Sequence, residues 1–256
     1  MSSIIDVKNV SKSFGHLKVI NDCSIQVKEG SITGLIGPNG AGKSTLFNII
    51  AGNLAADEGS IHFAGEDITN TPADQLFHKG LLRTFQIAHE FSSMTALENL
   101  MMVPGSQSGE SIFNTWFKPS LVKSEELQVR QRAMDVIDFL SLGHVKNELA
   151  GNLSGGQKKL LELGRTMMAN PRIVLLDEIA AGVNRTLLQD LIANILRLNK
   201  ELGYTFLVIE HDMDMIARLC NPVIVLAQGA VMMEGAIEEI QNNTEVVEAY
   251  FGPEVH

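Results

Sequence analysis

The chain has 256 residues, 45% of them hydrophobic and 20% charged, which is enough to bury the core of one large or two small globular units. Its formal net charge of -10 argues against a nucleic-acid partner held by attraction to phosphates. The two cysteines, Cys23 and Cys220, lack metal-ligand spacing, and no apolar run resembles a signal peptide or a membrane span, so we expect free thiols in a cytoplasmic protein.

The N-terminal part of the chain is predicted to form β-strands followed by a helix. Four short runs alternate apolar and polar residues between glycines, which is typical of strands, several of them antiparallel. These runs are "IIDVKNV", "SIQVKEG", "SITGLIG" and "GSIHFAG". The next run, "KSTLFNIIAGNL", changes to helical periodicity.

The middle of the chain, from about Thr71 to Arg165, is predicted to be mostly helical. It includes the amphipathic run "EELQVRQRAMDVIDFLSLG" and a Pro-, Gly- and Ser-rich segment, "VPGSQSGESIFNTWFKPS", predicted to be a surface loop. Apolar strands then alternate with helices: "RIVLLDE", a helix near Leu187 to Leu202, "YTFLVIEHD", another helix, and "NPVIVLAQG". This alternation predicts an α/β fold with a parallel sheet covered on both faces.

A glycine-rich segment between a predicted strand and a predicted helix carries the strongest functional signal. "GPNGAGKST" satisfies the pattern G-x-x-x-x-G-K-[ST], follows "SITGLI" and precedes "TLFNIIAG". In such a loop, backbone N–H groups wrap phosphates, the lysine reaches the terminal phosphates and the hydroxyl after it suits Mg²⁺. The alternative is a plain glycine turn. The predicted nucleotide-binding residues are Gly37, Pro38, Asn39, Gly40, Ala41, Gly42, Lys43, Ser44 and Thr45.

A second segment, "IVLLDE", predicts a buried strand that ends in two carboxylates. Buried parallel strands place their carboxyl ends at the ligand crevice. We predict that Asp177 there belongs to the Mg²⁺ shell and that Glu178 faces an attacking water. Adjacent acids at a strand end are common on protein surfaces, so this signal depends on the glycine-rich loop.

A third segment, "NLSGGQKKLLELGR", predicts a further anion site. Ser154, Gly155, Gly156 and Gln157 open a helix whose leucines are spaced to bury one face. A helix N-terminus with a hydroxyl and two glycines can bind an anion through its unpaired N–H groups.

The glycine-rich loop, "LSGGQ" and "VLLDE", in that order, resemble the nucleotide-binding subunit of an ABC transporter. The resemblance implies a P-loop NTPase core with a mostly parallel sheet, an N-terminal antiparallel β subdomain and an inserted α-helical subdomain. It implies one nucleotide-binding domain over 1–256, with 1–86 and 166–256 as the core and 87–165 as the helical subdomain. It also implies Mg²⁺-dependent ATP hydrolysis by two subunits packed head to tail, where "LSGGQ" grips the terminal phosphate of the partner's ATP.

The resemblance also assigns roles to four single residues. Gln86 would sense the metal and the water and link to the membrane subunits, although alone it is an ordinary polar loop residue. His211 would contact the terminal phosphate, and Phe14 would stack on adenine beside Val19. The chain departs from the usual family pattern at Ile179, where a proline is usual, and at Asn184, where an aspartate is usual.

Within the family, the chain is most similar to ATP-binding subunits of branched-chain amino acid importers. The shared features are "AAGVN", "RTFQ", "IEHDMD", "EVVEAYFG" and the extra loop from Val103 to Ser120. This implies transmembrane permease subunits, an extracytoplasmic substrate-binding protein, no nucleic acid, and a peripheral location on the cytoplasmic face of the inner membrane. A soluble assembly ATPase of the iron–sulfur cluster type remains an alternative, as do urea or lipopolysaccharide as substrates. The loop aromatics Phe113, Trp116 and Phe117 either pack on the helical subdomain or dock on a membrane subunit.

Overall fold

The computed structural model describes residues 2–84, 90–105, 116–180 and 183–251, with the side chain of the last residue excepted. The chain divides into two compact units. The first unit contains Met1–Gln86, Arg172–Ala181 and Ile192–His256, and the second contains Ile87–Pro171 and Gly182–Leu191. No helix within the described ranges combines the length and the apolar character that a membrane span requires.

The described residues form ten strands. They are β1 (Ser3–Phe14), β2 (Leu17–Lys28), β3 (Ile32–Ile36), β4 (Glu58–Phe63), β5 (Glu66–Asp67), β6 (Leu81–Arg83), β7 (Ile173–Asp177), β8 (Thr205–Ile209), β9 (Val223–Ala227) and β10 (Ala230–Gly235).

Nine α-helices lie entirely within the same ranges. They are α1 (Lys43–Ile50), α2 (Ala73–Lys79), α3 (Ala96–Met101), α4 (Pro119–Phe139), α5 (Gly155–Met168), α6 (Arg185–Leu202), α7 (Met213–Leu219), α8 (Ile237–Gln241) and α9 (Thr244–Phe251).

The first unit contains two sheets. The N-terminal strands form an antiparallel sheet in the order β2-β1-β4-β5. The second sheet has the order β10-β9-β3-β8-β7-β6 and is parallel except for its β9–β10 pair. Strands β3, β7 and β8 are buried at every position, as expected for parallel strands covered on both faces.

The register of the parallel sheet aligns the ends of three strands. Ile209, the last residue of β8, lies opposite Leu35 of β3 on one side and Asp177 of β7 on the other. The segments that follow these strands therefore leave the sheet side by side. This edge is where open α/β sheets bind ligands.

Helix α1 and the two sheets share one hydrophobic core in the first unit. Its buried members include Ile5 of β1, Val27 of β2, Phe47 of α1, Leu207 of β8 and Leu226 of β9. The glycine-rich loop lies between β3 and α1, both of which bury apolar side chains in this core. The loop is thus held at both ends by packed elements.

The second unit is helical and is tightly packed around a glycine. A Cβ atom added at Gly164 of α5 would lie 2.9 Å from Leu140, 3.1 Å from Leu100 and 3.1 Å from Val136. These neighbours belong to α3, to α4 and to the residue that follows α4. The absence of a side chain at this position therefore lets the three helices approach closely.

The structure confirms the predicted α/β fold class, with a mostly parallel sheet and an antiparallel sheet built from N-terminal strands. Within the stretch predicted to be mostly helical, Leu81–Arg83 forms β6 at the edge of the parallel sheet, a strand that the sequence analysis did not predict. Three residues are too few to show a period of two, and their state is set by pairing with β7.

Candidate functional site

The glycine-rich loop has a backbone that only glycine tolerates at key positions. Gly37 has φ 154°, and a Cβ there would lie 2.1 Å from the carbonyl oxygen of Leu226. Gly42 has φ 101°, and a Cβ there would lie 2.7 Å from Ile20 Cδ1 and 2.8 Å from the carbonyl oxygen of Val19. These glycines let the loop lie directly against β9 and β2, which a plain turn would not require.

Lys43 is the first residue of α1 and is 6% exposed. Its Nζ donates to the carbonyl oxygens of Gly37 at 2.7 Å and Pro38 at 3.1 Å. Burial lowers the pKa of Lys43, and the charge of Glu178 acts in the opposite direction. The side chain therefore places a cation inside the curve of the loop, where an anion would be bound.

A cavity of about 250 Å³ lies over this loop. It brings together much of the predicted site, being lined by Val19, Asn39, Gly40, Ala41, Gly42, Lys43, Ser44, Thr45, Glu178 and His211. Gly37, Pro38 and Asp177 are absent from this lining, and so is Phe14. Phe14 is 51% exposed at the end of β1, with Lys12 Nζ 5.8 Å from its ring centroid.

Glu178 and His211 meet at the wall of the cavity. His211 Nε2 lies 3.1 Å from Glu178 Oε1. The backbone of Glu178 has φ 48°, a left-handed conformation that is uncommon for a side-chain-bearing residue, and its N–H donates to the Ile209 carbonyl at 2.9 Å. Backbone strain of this kind is concentrated at functional sites. The pair can hold a polar group, such as a water, in a fixed position.

Asp177 is 3% exposed and its two carboxylate oxygens have different surroundings. Oδ2 accepts a hydrogen bond from Arg83 Nη2 at 2.6 Å. Oδ1 is buried and has no hydrogen-bond partner among the described residues. A buried oxygen without a partner is costly, and a cation or its water would satisfy it. Asp177 and the exposed Ser44 hydroxyl are thus suited to a divalent cation.

Two positions that support the site were missed by sequence reasoning. Arg83 contacts Asp177, although the sequence gives no sign that these distant residues meet. Glu210 is 4% exposed and accepts the N–H of Ala180 at 2.9 Å. Burial raises the pKa of Glu210, against the lowering effect of hydrogen bonds from the N–H groups of Ala180 and His211. Glu210 therefore connects the segments that follow β7 and β8.

The C-terminal helix α9 also reaches the glycine-rich loop. Burial raises the pKa of the Tyr250 hydroxyl, and a hydrogen bond with the backbone of Gly37 partly offsets that effect. No local pattern in this part of the sequence predicts the contact.

In the second unit, Ser154 caps α5. Its hydroxyl accepts the N–H of Gln157 at 3.4 Å, while Gln157 Oε1 accepts the N–H of Ser154 at 2.9 Å. Ser154 and Gly155 are exposed. Gly156 is buried, and a Cβ there would lie 2.3 Å from Leu187 Cδ1 and 2.7 Å from Leu187 Cβ. The helix start is therefore accessible, and its second glycine has a packing role.

Two predictions fall partly or wholly outside the described residues. Gln86 lies in the undescribed stretch 85–89, so its role stays a prediction. Of the extra loop, Phe113 also lies outside the described residues, whereas Trp116 is 79% and Phe117 70% exposed. Whether these loop aromatics pack on the helical subdomain or dock on a membrane subunit therefore stays a prediction with two alternatives.

Comparison with known proteins agrees with this geometry. Residues 20–181 match the family described as ABC transporter. A protein of Archaeoglobus fulgidus named probable branched-chain amino acid transport ATP-binding protein LivG is 42% identical over 253 residues, covering 97% of this chain and 95% of the relative. The high-affinity branched-chain amino acid transport ATP-binding protein BraF of Pseudomonas aeruginosa is 36% identical, covering 97% and 98%.

Solved structures give the same result. A nucleotide-free ATP-binding cassette from an ABC transporter is 40% identical, with a TM-score of 0.83 over 98% of this chain and 100% of that one. An ATP-binding cassette in its ADP conformation is 39% identical, with a TM-score of 0.84 over 99% and 100%. A dimeric cassette in a post-hydrolysis state, bound to ADP and Pi, is 25% identical, with a TM-score of 0.73 over 91% and 98%.

Proposed function

This chain belongs to the ABC transporter family, and we propose that it is the ATP-hydrolysing subunit of an importer for branched-chain amino acids. The observation that carries the proposal is the cavity in which the glycine-rich loop meets Glu178 and His211. Phosphoryl transfer needs a cradle for the phosphates and a group that orients the attacking water. This cavity contains candidates for both.

The loop and Lys43 would bind the phosphates. Gly40, Gly42 and Lys43 line the same cavity, and the Lys43 ammonium is held by the carbonyl oxygens of Gly37 and Pro38. On binding, the terminal phosphates would replace the carbonyl oxygens of Gly37 and Pro38 as the partners of that ammonium. Val19 lines the same cavity and would contact the base, with Phe14 exposed nearby in sequence on β1.

Glu178 would orient the water for in-line attack on the terminal phosphate. Its carboxylate is held by His211 on one side, and its backbone is held by β8. His211 lines the same cavity and would contact the phosphate that is transferred. The reaction converts ATP and water to ADP and phosphate.

Ser44 and Asp177 would hold the Mg²⁺ that accompanies ATP. Among the described residues no group of three or more His, Cys, Asp and Glu side chains could bind a metal alone. Mg²⁺ commonly takes further ligands from substrate phosphates and from water, and Gln86, which the family resemblance implies senses the metal, lies outside the described residues. When bound, the ion would neutralise part of the phosphate charge.

A second ATP-binding subunit would complete the site. The capping box already pairs the N–H groups of Ser154 and Gln157, so the exposed start of α5 would present the Ser154 hydroxyl and the N–H of Gly155 to a partner's ATP. Closure and opening of the two subunits would drive transmembrane permease subunits at the cytoplasmic face of the membrane, supplied by a substrate-binding protein. The names of the relatives support branched-chain amino acids as the substrate, and they do not favour an iron–sulfur assembly ATPase.

The substitution Glu178→Gln tests the proposal. It keeps the shape of the side chain and removes the charge that orients water, so hydrolysis should fall by at least ~10²-fold while ATP binding persists. With ATP, the variant should accumulate as a dimer in light scattering. Glu201→Gln, on the exposed surface of α6, serves as the control and should behave as wild type. Hydrolysis near the wild-type rate would remove Glu178 from its proposed role.

A further inference from the structure

The side chain of Arg83, at the end of β6, joins three elements of the first unit. Its Nη2 donates to Asp177 Oδ2 on β7 at 2.6 Å, and its Nη1 donates to Asn48 Oδ1 on α1 at 2.5 Å. Its guanidinium carbon lies 5.9 Å from the centroid of the Phe47 ring. The side chain is only 16% exposed. The guanidinium therefore has little freedom to leave this position.

The contact with Asp177 fixes which carboxylate oxygen remains available. Because Oδ2 is taken by Arg83, the buried Oδ1 is the oxygen without a partner among the described residues. A carboxylate that could rotate would present either oxygen to a cation. The ion pair removes that rotation and leaves a single acceptor in a defined orientation.

The contact with Asn48 extends the constraint to the glycine-rich loop. Asn48 lies four residues after Ser44, so the two residues share one face of α1, one turn apart. The Arg83 guanidinium ties this face of α1 to the end of β7. Ser44 and Asp177, the two side chains suited to the cation, are thereby held on elements that a single residue connects.

We propose that Arg83 is a positioning residue for the Mg²⁺ of bound Mg-ATP, acting through Asp177 and Asn48. This inference rests on the proposed function, since Mg-ATP is the substrate assigned there. Arginine is required because its planar fork reaches two acceptors at once, which a lysine ammonium on a shorter side chain cannot do in the same geometry. Partners that orient metal ligands typically change metal affinity by about 10–100-fold when they are removed.

The test compares affinity for a fluorescent ATP analogue in Mg²⁺ with affinity in EDTA. The Mg²⁺ gain is the ratio of the affinity measured in Mg²⁺ to the affinity measured in EDTA. For Arg83→Lys, we expect the affinity in EDTA to stay at the wild-type level and the Mg²⁺ gain to fall by roughly tenfold. Arg172→Lys is the matched control, because Arg172 also pairs with a carboxylate, Glu29 at 3.5 Å, and lies over an aromatic ring, Phe63 at 5.5 Å. It is half-exposed and lies outside the site, so its Mg²⁺ gain should equal that of wild type.

A second variant keeps the inference testable if Arg83→Lys does not fold by circular dichroism. Asn48→Ala leaves the pair between Arg83 and Asp177 intact but releases α1, and it should also lower the Mg²⁺ gain without changing affinity in EDTA. Equal losses in Mg²⁺ and in EDTA, or an unchanged Mg²⁺ gain, would overturn the positioning role and leave the proposed function standing. A wild-type chain that binds no ATP analogue under either condition would overturn the proposed function itself.

Discussion

Replacing Gly37 with alanine should destabilise the protein far more than the same change three residues later, at Gly40. At Gly37, φ is 154° and the new Cβ would lie 2.1 Å from the carbonyl oxygen of Leu226 and 3.1 Å from its carbon. Those atoms are backbone of the buried strand β9, so they cannot rotate away. At Gly40, φ is 80° and nothing lies within 4 Å of the added Cβ.

Both substitutions carry a conformational cost, and only Gly37→Ala carries a steric cost as well. A left-handed backbone costs a side-chain-bearing residue about 1–2 kcal/mol, which is the whole effect expected for Gly40→Ala. Gly37→Ala pays a backbone cost of about 1–3 kcal/mol and an overpacking cost of about 1–3 kcal/mol. We therefore expect a loss of about 2–6 kcal/mol, a large part of the roughly 5–15 kcal/mol that stabilises a typical protein.

Urea denaturation of the two variants and the wild type, followed by circular dichroism, measures this difference. Thermal unfolding gives an independent reading, since 1 kcal/mol corresponds to about 2–4 °C in Tm for a chain of this size. If the two variants lose stability within about 1 kcal/mol of each other, the close approach of the loop to β9 does not restrict position 37, and the argument from sterics fails.

Two further predictions concern Glu210 and Gly156. Because burial raises the pKa of Glu210, the folded state keeps a proton that the unfolded state has released, so stability is lost as pH rises from the ordinary glutamate pKa through the raised one. The Gln side chain in Glu210→Gln cannot titrate, so this variant should lose less stability than the wild type over that pH range. Urea denaturation at a series of pH values measures the difference, and the same dependence of stability on pH in the two proteins would contradict the prediction. Gly156→Ala should cost about 1–3 kcal/mol through its clash with Leu187. Leu187→Gly in the same chain should remove most of that cost in a double-mutant cycle, and strict additivity would refute the packing role.

Local sequence patterns were sufficient for the elements that carry the site. The strand β7 was predicted from a run of apolar residues that ends in acids, and the structure buries all five of its residues. Strand β6 was missed because three residues show no periodicity, and their conformation depends on pairing with a strand some 90 positions later. The same limit explains why the pairing of Arg83 with Asp177 was not foreseen.

The sequence by itself determined the chemistry available at the site: a glycine-rich loop with Lys43 and Ser44, two acids at a strand end, and a capped helix at Ser154. Each of these motifs consists of residues close together in the sequence, because turns, helix caps and strand periodicity depend on near neighbours. Only the tertiary structure decided which groups meet. It places His211 beside Glu178, and it joins Arg83 to both Asp177 and Asn48. These contacts bring together residues 33, 35 and 94 positions apart, and such pairings are set by the register of the sheet and the packing of α1, which no local pattern encodes.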